Sequence, residues 1–188
     1  MPNPPVFLIY QLKVTLSGVE PQVWRRLLVP STLSLKRLHQ ILQIALGWTD
    51  THLHEFAAHG LTYGTPHSEY ENATRDEADV LLSEVLVKER ESLVYEYDFG
   101  DGWEHTVVLE KVLSTTPDMS VPICIAGQRA CPPEDCGGPG GYEVLLEAIR
   151  DPSHEEHQTL REWIGDDFDP DDFDQAKIND ELARLGEL

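Results

Sequence analysis

The sequence has few of the features that mark membrane-spanning, secreted or disulfide-bonded proteins. Its 188 residues contain no apolar run near the ~18 residues that span a bilayer, and the amino-terminal segment lacks the basic stretch of a signal peptide. Only three cysteines are present, and an odd number fits reduced thiols or metal ligands better than a disulfide framework. We therefore expect a cytoplasmic protein with no membrane partner.

Basic residues are also scarce. Lys and Arg number 14 against 34 Asp and Glu, which gives a formal net charge of -20 at pH 7. Because an acidic surface repels phosphate, we expect no direct nucleic-acid partner, and instead a protein partner or a small ligand. The one basic group is interpreted as solvated charges and consists of Arg25, Arg26, Lys36 and Arg37.

Apolar periodicity divides the chain into a β-rich first part and a helical last part. Residues 6–16 and 23–30 predict a hairpin, and 35–46 predict a helix between an N-cap at Ser34 and Gly47. A short strand, a polar loop over 65–79 and a short turn follow. Strands at 93–99 and 103–110 are then expected to pair around a glycine turn, with the 35–46 helix packed across their sheet.

The last third predicts helices that carry Tyr142 to Ile149, Leu160 to Ile164 and Ile178 to Leu185. Ser153 and Glu156 have the spacing of a capping box, and Asp174 is the expected N-cap of the final helix.

The order of these elements is that of a ubiquitin-like β-grasp. We therefore predict an α+β fold, with a mixed sheet and one packed helix followed by a C-terminal helical region. One domain over 1–188 is expected, with a β-grasp-like part at 1–113. A Cys/Pro/Gly loop and a helical subdomain would occupy 114–188.

Acidic and histidine residues gather at the predicted turn after residue 97. The tripeptide 98–100 matches the magnesium-binding DFG of protein kinases, but the glycine-rich loop and the catalytic-loop spacing of kinases are missing. Asp98, Asp101 and His105 are therefore candidate catalytic groups of another kind. The Asp-rich run at 166–174 is not an EF-hand, because Asp172 and Ile178 replace the required Gly and Glu.

Six residues are candidates for binding a ligand. His52 and His54 are two apart and point to the same side of a strand. The candidate ligand-binding residues are His52, His54, Glu55, Trp103, Glu134 and Asp135.

Zinc is a possible cofactor at Cys124, Cys131 and Cys136, with His105 as a fourth ligand. The spacing lacks a close Cys pair, so two other interpretations stay open: buried packing residues, or a lone cysteine nucleophile.

Two long motifs resemble the plasmid pRiA4b ORF-3-like family, whose members are also described as insertion-element passenger proteins with a resolvase-like label. The motifs are YEYDFGDGWEH at 95–105 and CIAG with CPPEDCGG within 124–138. VWRR, LGW, HLHEF and DFDP add shorter matches. The resemblance implies no particular activity, substrate or catalytic residue. A serine recombinase would need an arginine-rich nucleophile site and a basic DNA-binding module, which this composition does not supply.

Three hypotheses of function follow. The first is a non-enzymatic module that binds a protein partner or a small ligand. The second is a metal-dependent hydrolase whose site is formed by the HLHE, DFGDGWEH and CPPEDCGG motifs. The third is an accessory protein of mobile DNA. A polar pocket lined by all three motifs would favour the hydrolase, and a shallow apolar patch would favour the binding module.

Overall fold

A computed structural model of the protein describes residues 8–65, 74–116, 119–165 and 167–186. Residues 6 and 7 of the first predicted strand, most of the predicted polar loop and Asp166 lie outside these ranges. The elements are β1 (Leu8–Leu16), β2 (Trp24–Pro30), α1 (Leu35–Leu46), β3 (His54–Ala58), β4 (Leu61–Gly64), β5 (Thr74–Asp76), α2 (Leu82–Val85), β6 (Ser92–Tyr97), β7 (Trp103–Ser114), β8 (Ile123–Gln128), α3 (Gly138–Arg150), α4 (His157–Ile164) and α5 (Gln175–Gly186).

The strands form one sheet in the order β5-β4-β3-β6-β7-β1-β2-β8. Only the β4–β5 pair is parallel among the pairings of the described strands. β6 and β7 pair antiparallel from Ser92 opposite Val108 to Tyr97 opposite Trp103, which confirms the predicted hairpin. β1 and β2 also pair as predicted.

The β-grasp prediction is wrong. The described residues form one eight-stranded sheet with five short helices, instead of one packed helix followed by a separate helical region. Residues 123–128, predicted as part of a Cys/Pro/Gly loop, form the edge strand β8 on β2. α5 in turn packs against β8 and α1, so the last helix lies beside the first. The β-grasp prediction failed because the order of elements along the chain does not determine which strands pair with each other.

Helix α1 has the boundaries that the sequence predicts. The Ser34 side chain accepts a hydrogen bond from the Arg37 amide at 3.2 Å, and Gly47 ends the helix with a φ of 80°. The apolar stripe of α1 enters the core, and two polar residues beside it, His39 and Gln43, reach the Tyr95 hydroxyl on β6. The helix therefore packs across the β6–β7 part of the sheet, as expected.

The C-terminal helices add apolar residues to the same core, among them Tyr142 and Leu182. Asp174 accepts from the Lys177 amide at 2.9 Å, which confirms the predicted N-cap of α5. The predicted capping box of α4 is wrong, because the Ser153 hydroxyl donates to Asp151 at 2.7 Å instead. None of the helices in the described ranges is long and apolar enough to cross a lipid bilayer.

Candidate functional site

Three loops meet at one end of the sheet, and we call this region the three-loop site. It consists of residues 48–53 before β3, the turn 98–102 between β6 and β7, and residues 131–137 before α3. The Trp48 indole donates to the Pro132 carbonyl at 2.9 Å. The Asp98 amide donates to the Leu53 carbonyl at 2.8 Å, so the loops are joined through their backbones as well.

An imidazole and two carboxylates, one from each loop, form the centre of the three-loop site. His52 Nδ1 lies 3.7 Å from Asp98 Oδ2, and His52 Nε2 lies 3.1 Å from Asp135 Oδ1. His52 Nε2 is buried, and although Asp135 is close, the geometry between them is not that of a hydrogen bond, so Nε2 has no hydrogen-bond partner. Asp98 Oδ1 accepts from the Gly100 amide at 3.0 Å, which leaves Oδ2 facing His52.

Three aspartates at this end of the sheet have left-handed backbone conformations. The φ angles are 57° at Asp50, 57° at Asp98 and 60° at Asp135. Aspartate tolerates this region better than most residues, but it is still sparsely populated. Such conformations cluster at functional sites, where the surrounding contacts hold them in place.

Glu134 fastens the third loop to the first. Its carboxylate accepts from the hydroxyls of Thr49 and Thr51 and from the Tyr97 hydroxyl at 2.5 Å. Burial alone would raise the pKa of Glu134, but the hydrogen bonds from Thr49 and Tyr97 outweigh it and lower that pKa. Burial, together with the bond to Glu134, raises the pKa of Tyr97 to about 12. The carboxylate is therefore a structural acceptor that positions Asp135.

A second polar cluster lies beside the first and was only partly predicted. The rings of His39 and His54 stack with centroids 3.5 Å apart and planes 2° apart. His39 Nε2 lies 2.9 Å from Asp50, and His54 Nε2 lies 2.8 Å from the buried Glu77. Burial, and then the neighbouring His54, lower the pKa of His39. One signal in the sequence could have identified His39, because it is a polar residue next to the apolar stripe of α1.

A cleft of about 200 Å³ is lined by members of both clusters, His52 and the His39–His54 stack among them. His52 and His54 both border this cleft, but they contact different carboxylates, and His52 lies in the loop before β3 instead of in the strand that the spacing argument assumed. No residue of the 98–105 or 124–138 motifs lines this cleft within the described chain. The three motifs thus meet in the His52–Asp98–Asp135 cluster, but they do not line this cleft together, so the cleft does not meet the condition set above for a hydrolase.

A larger groove of about 540 Å³ runs between the end of α1, the 131–137 loop and α5. It shares Trp48, Thr49 and residues 131–134 with the three-loop site. Arg25 lies at this groove and is only 3% exposed, with hydrogen bonds to the carbonyls of Ala45 and Gln128. The interpretation of Arg25 as a solvated charge is therefore wrong.

The three cysteines occupy separate environments. Cys124 is buried with its thiol 3.4 Å from the Ala126 carbonyl, and the Cys131 thiol lies 3.7 Å from the Arg25 guanidinium. Burial, and next the charge of Asp101, raise the pKa of Cys136 to about 12. In the described chain, two groups have three metal-ligating atoms within 4.8 Å, and neither contains a cysteine. The structure does not bring the thiols and His105 into one ligand set, and zinc there stays a prediction, testable by elemental analysis of untagged protein.

Of the remaining candidates, Trp103, His105 and Glu55 lie away from the His52 cluster, and Asp101 lies next to it. Trp103 and His105 are completely buried in the core behind Trp48. Glu55 is half-buried on β3, opposite Glu96 of β6. Asp101 joins the three-loop site, where it accepts from the Gly137 amide at 3.1 Å.

The chain is similar to known proteins over most of its length. The family model of the plasmid pRiA4b ORF-3-like protein matches residues 8–177. An uncharacterized protein, y4hQ of Sinorhizobium fredii (strain NBRC 101917 / NGR234), is 43% identical over 172 residues, which cover 91% of this chain and 86% of y4hQ. The crystal structure of a protein of unknown function, MM3350 from Methanosarcina mazei Go1, aligns with a TM-score of 0.83 at 39% identity, covering 90% of this chain and 97% of that one. The chain therefore belongs to the plasmid pRiA4b ORF-3-like family.

Proposed function

We propose that this protein is a non-enzymatic binding module centred on a divalent-cation site at His52, Asp98 and Asp135. The observation that carries this proposal is the position of His52 Nε2. The atom is buried without an aligned hydrogen-bond partner, although Asp135 Oδ1 is 3.1 Å away. A histidine nitrogen and a carboxylate oxygen lie this close without forming a hydrogen bond when both of them face a bound ion instead of each other. Octahedral ligands ~2.1 Å from an ion are themselves ~3 Å apart, which agrees with the observed distance.

The chemistry of the three side chains narrows the choice of cation. Carboxylates favour Mg²⁺, Ca²⁺ and Mn²⁺, whereas imidazole favours Zn²⁺ and other transition metals. Mn²⁺ accepts both kinds of ligand and is therefore the probe that we select. The net charge of -20 also raises the local concentration of cations around the chain.

Two exposed apolar side chains flank the site and suggest what else it binds. Leu53 and Phe99 are each 50% exposed and directly follow His52 and Asp98 in the chain. A bound cation offers open coordination positions to an anionic group, and these two side chains offer apolar contact next to it. The partner we propose is a small ligand or a protein segment that carries both an anionic and an apolar group.

Isothermal titration of the purified protein with Mn²⁺ tests the cation site. We expect saturable binding of about one ion per chain, and we expect Asp98→Asn and Asp135→Asn each to weaken it about tenfold or more. Asp180→Asn is the matched control, because Asp180 is exposed on α5 and lies outside both polar clusters. Equal binding of Mn²⁺ by the wild type and all three variants, or no binding of Mn²⁺ by the wild type, would refute the proposal.

A metal-dependent hydrolase is the second candidate, and the composition of the cluster favours it. Its three residues come one from each of the HLHE, DFGDGWEH and CPPEDCGG motifs, and the cleft at His52 also contains the His54–Glu77 pair. In such an enzyme, the cation would activate water, and a histidine–carboxylate pair would transfer protons. A panel of chromogenic phosphate, carboxylate and peptide substrates, assayed with Mn²⁺, separates the two candidates. Turnover that Asp98→Asn abolishes would make the protein an enzyme.

A further inference from the structure

A closed ring of hydrogen bonds connects α1, β6 and the first loop of the three-loop site. The Asp50 amide donates to Gln43 Oε1 at 2.9 Å, and Gln43 Nε2 donates to the Tyr95 hydroxyl at 2.9 Å. The same hydroxyl lies 2.8 Å from His39 Nδ1, and His39 Nε2 lies 2.9 Å from Asp50 Oδ1. The ring therefore begins and ends at Asp50.

The donors in this ring fix its direction. A backbone amide only donates, so the Gln43 oxygen faces Asp50 and the Gln43 NH₂ group faces Tyr95. The Asp50 carboxylate accepts from His39 Nε2, so a neutral His39 has no proton on Nδ1, and the Tyr95 O–H donates to Nδ1. Burial raises the pKa of Tyr95 well above its usual value, so that proton stays on the phenol. His39 is then a neutral imidazole that carries its proton on Nε2 and donates it to Asp50.

We infer that His39, Tyr95 and Gln43 are positioning residues that hold the 48–52 loop in the conformation in which His52 faces Asp98 and Asp135. This inference rests on the proposed cation site. The ring binds Asp50 at both its amide and its carboxylate, two residues before His52. Asp50 needs such support because its φ is 57° and its carboxylate is otherwise exposed.

The same ring argues against a cation at the second cluster. His39 Nε2 carries a proton and faces Asp50, while Nδ1 accepts from Tyr95, so neither nitrogen has a free lone pair. The other imidazole of the stack, His54, faces the buried Glu77. His52, in contrast, has an Nε2 without an aligned partner. The two groups of ligating atoms thus have different roles: one binds and the other positions.

The first test reads the direction of the ring without any metal. In ¹⁵N-histidine-labelled protein, we expect the His39 ring to show the shifts of a neutral Nε2–H tautomer, with Nδ1 as acceptor. An Nδ1–H tautomer or an imidazolium at about pH 7 would overturn the inference. This result is independent of whether the protein binds a cation, so it separates failure of the ring from failure of the proposed function.

The second test measures whether the ring acts on the site. Tyr95→Phe removes the hydroxyl of the ring, and Tyr63→Phe is the control, because Tyr63 is also buried but lies on β4 outside the ring. We expect Tyr95→Phe to weaken Mn²⁺ binding about tenfold, as loss of an outer-shell partner does, while Tyr63→Phe binds Mn²⁺ as the wild type does. Both are measured well below their melting temperatures, so that loss of stability alone does not change the Kd.

A pair of substitutions at Asp50 gives a readout that does not disturb the core. Asn and Gly both tolerate a positive φ, but only Asn keeps an oxygen that accepts from His39 Nε2. We expect Asp50→Asn to bind Mn²⁺ more tightly than Asp50→Gly. Equal affinity of these two variants, or Tyr95→Phe binding as tightly as the wild type, would overturn the positioning role.

Discussion

At the scale of single residues, His105 makes the stability of the protein depend on pH. It is completely buried, its Nε2 has no hydrogen-bond partner, and burial lowers its pKa to about 4. The unfolded chain takes up a proton near its ordinary pKa of about 6.5, whereas the folded chain does not. Stability is therefore fully present above about pH 6.5 and is lost as the pH falls towards 4, by about 3 kcal/mol for this group.

Denaturant unfolding of a His105→Leu variant tests this assignment. The variant cannot take up the proton, so we expect its free energy of unfolding to fall less than that of the wild type between about pH 7 and about pH 4.5. His59→Asn is the control, because His59 is exposed and its φ of 53° suits asparagine. If the free energy of unfolding of His105→Leu fell with pH as steeply as that of the wild type, a group other than His105 would be responsible.

The candidate site shows which part of a site the sequence can predict at this scale. The motifs that contain His52, Asp98 and Asp135 were identified from residue type and local spacing, and these three residues meet. His39 and Asp50 were missed because their roles depend on a neighbour from another element, Tyr95 or Gln43. Residue types are local information, whereas hydrogen-bond partners are set by the packing of α1 on the sheet.

At the scale of elements, helix α3 packs closely against the loop that precedes it. A Cβ on Gly141 would lie 2.0 Å from the Cys136 carbonyl oxygen, which is backbone and cannot move aside cheaply. A Cβ on Gly140, its neighbour in the same helix, would meet nothing within 4 Å. We therefore expect Gly141→Ala to lower the free energy of unfolding by about 3 kcal/mol.

Gly140→Ala is the matched control and should raise stability by about 0.5 kcal/mol, because alanine favours the helix over glycine. Chemical denaturation of both variants measures the difference. Similar stability of the two variants would mean that the 131–137 loop is not held against α3, and Asp135 would lose the support that the cation site needs.

The success of the prediction for α1 and the failure for β8 have a common physical reason. Helix α1 is bounded by Ser34 and Gly47 and has an apolar repeat, all of which are local signals. β8 pairs with β2, about a hundred residues earlier, so the sequence of β8 alone does not show which strand stabilises it. Gly127, which suggested a loop, is needed for packing, because a Cβ there would lie 2.5 Å from the Phe173 ring.

At the scale of the whole molecule, the sheet crosses the boundary predicted at residue 113. β8 belongs to the later part of the chain and pairs with β2 of the earlier part. The buried core likewise joins Leu12 with Tyr142 and Leu182. The three-loop site depends on this arrangement, because its third loop follows β8 and lies against the first two only when β8 occupies the edge of the sheet.

The surface charge of the whole molecule bears on nucleic-acid binding. With a net charge of -20, duplex DNA should bind no more tightly than the ~10⁻⁴ to 10⁻⁶ M of non-specific complexes. The structure weakens the one basic group further, since Arg25 is inside the core and Arg26 forms an ion pair with Glu110 at 2.6 Å. Arg26 and Lys13 both lie over the Trp24 ring, so this face is the one to test for a phosphate contact.

A gel-shift assay with duplex DNA at about 150 mM salt measures this prediction. We expect no shift at submicromolar protein, for the wild type or for a Lys13→Glu, Arg26→Glu double variant. A submicromolar complex that the double variant abolishes would contradict us, and it would mean that the Trp24 face overcomes the field of the remaining charges. A complex that survives the double variant would place the contact on another surface. Because counterion release makes phosphate contacts weaken with salt, repeating the assay across salt concentrations separates such contacts from apolar ones.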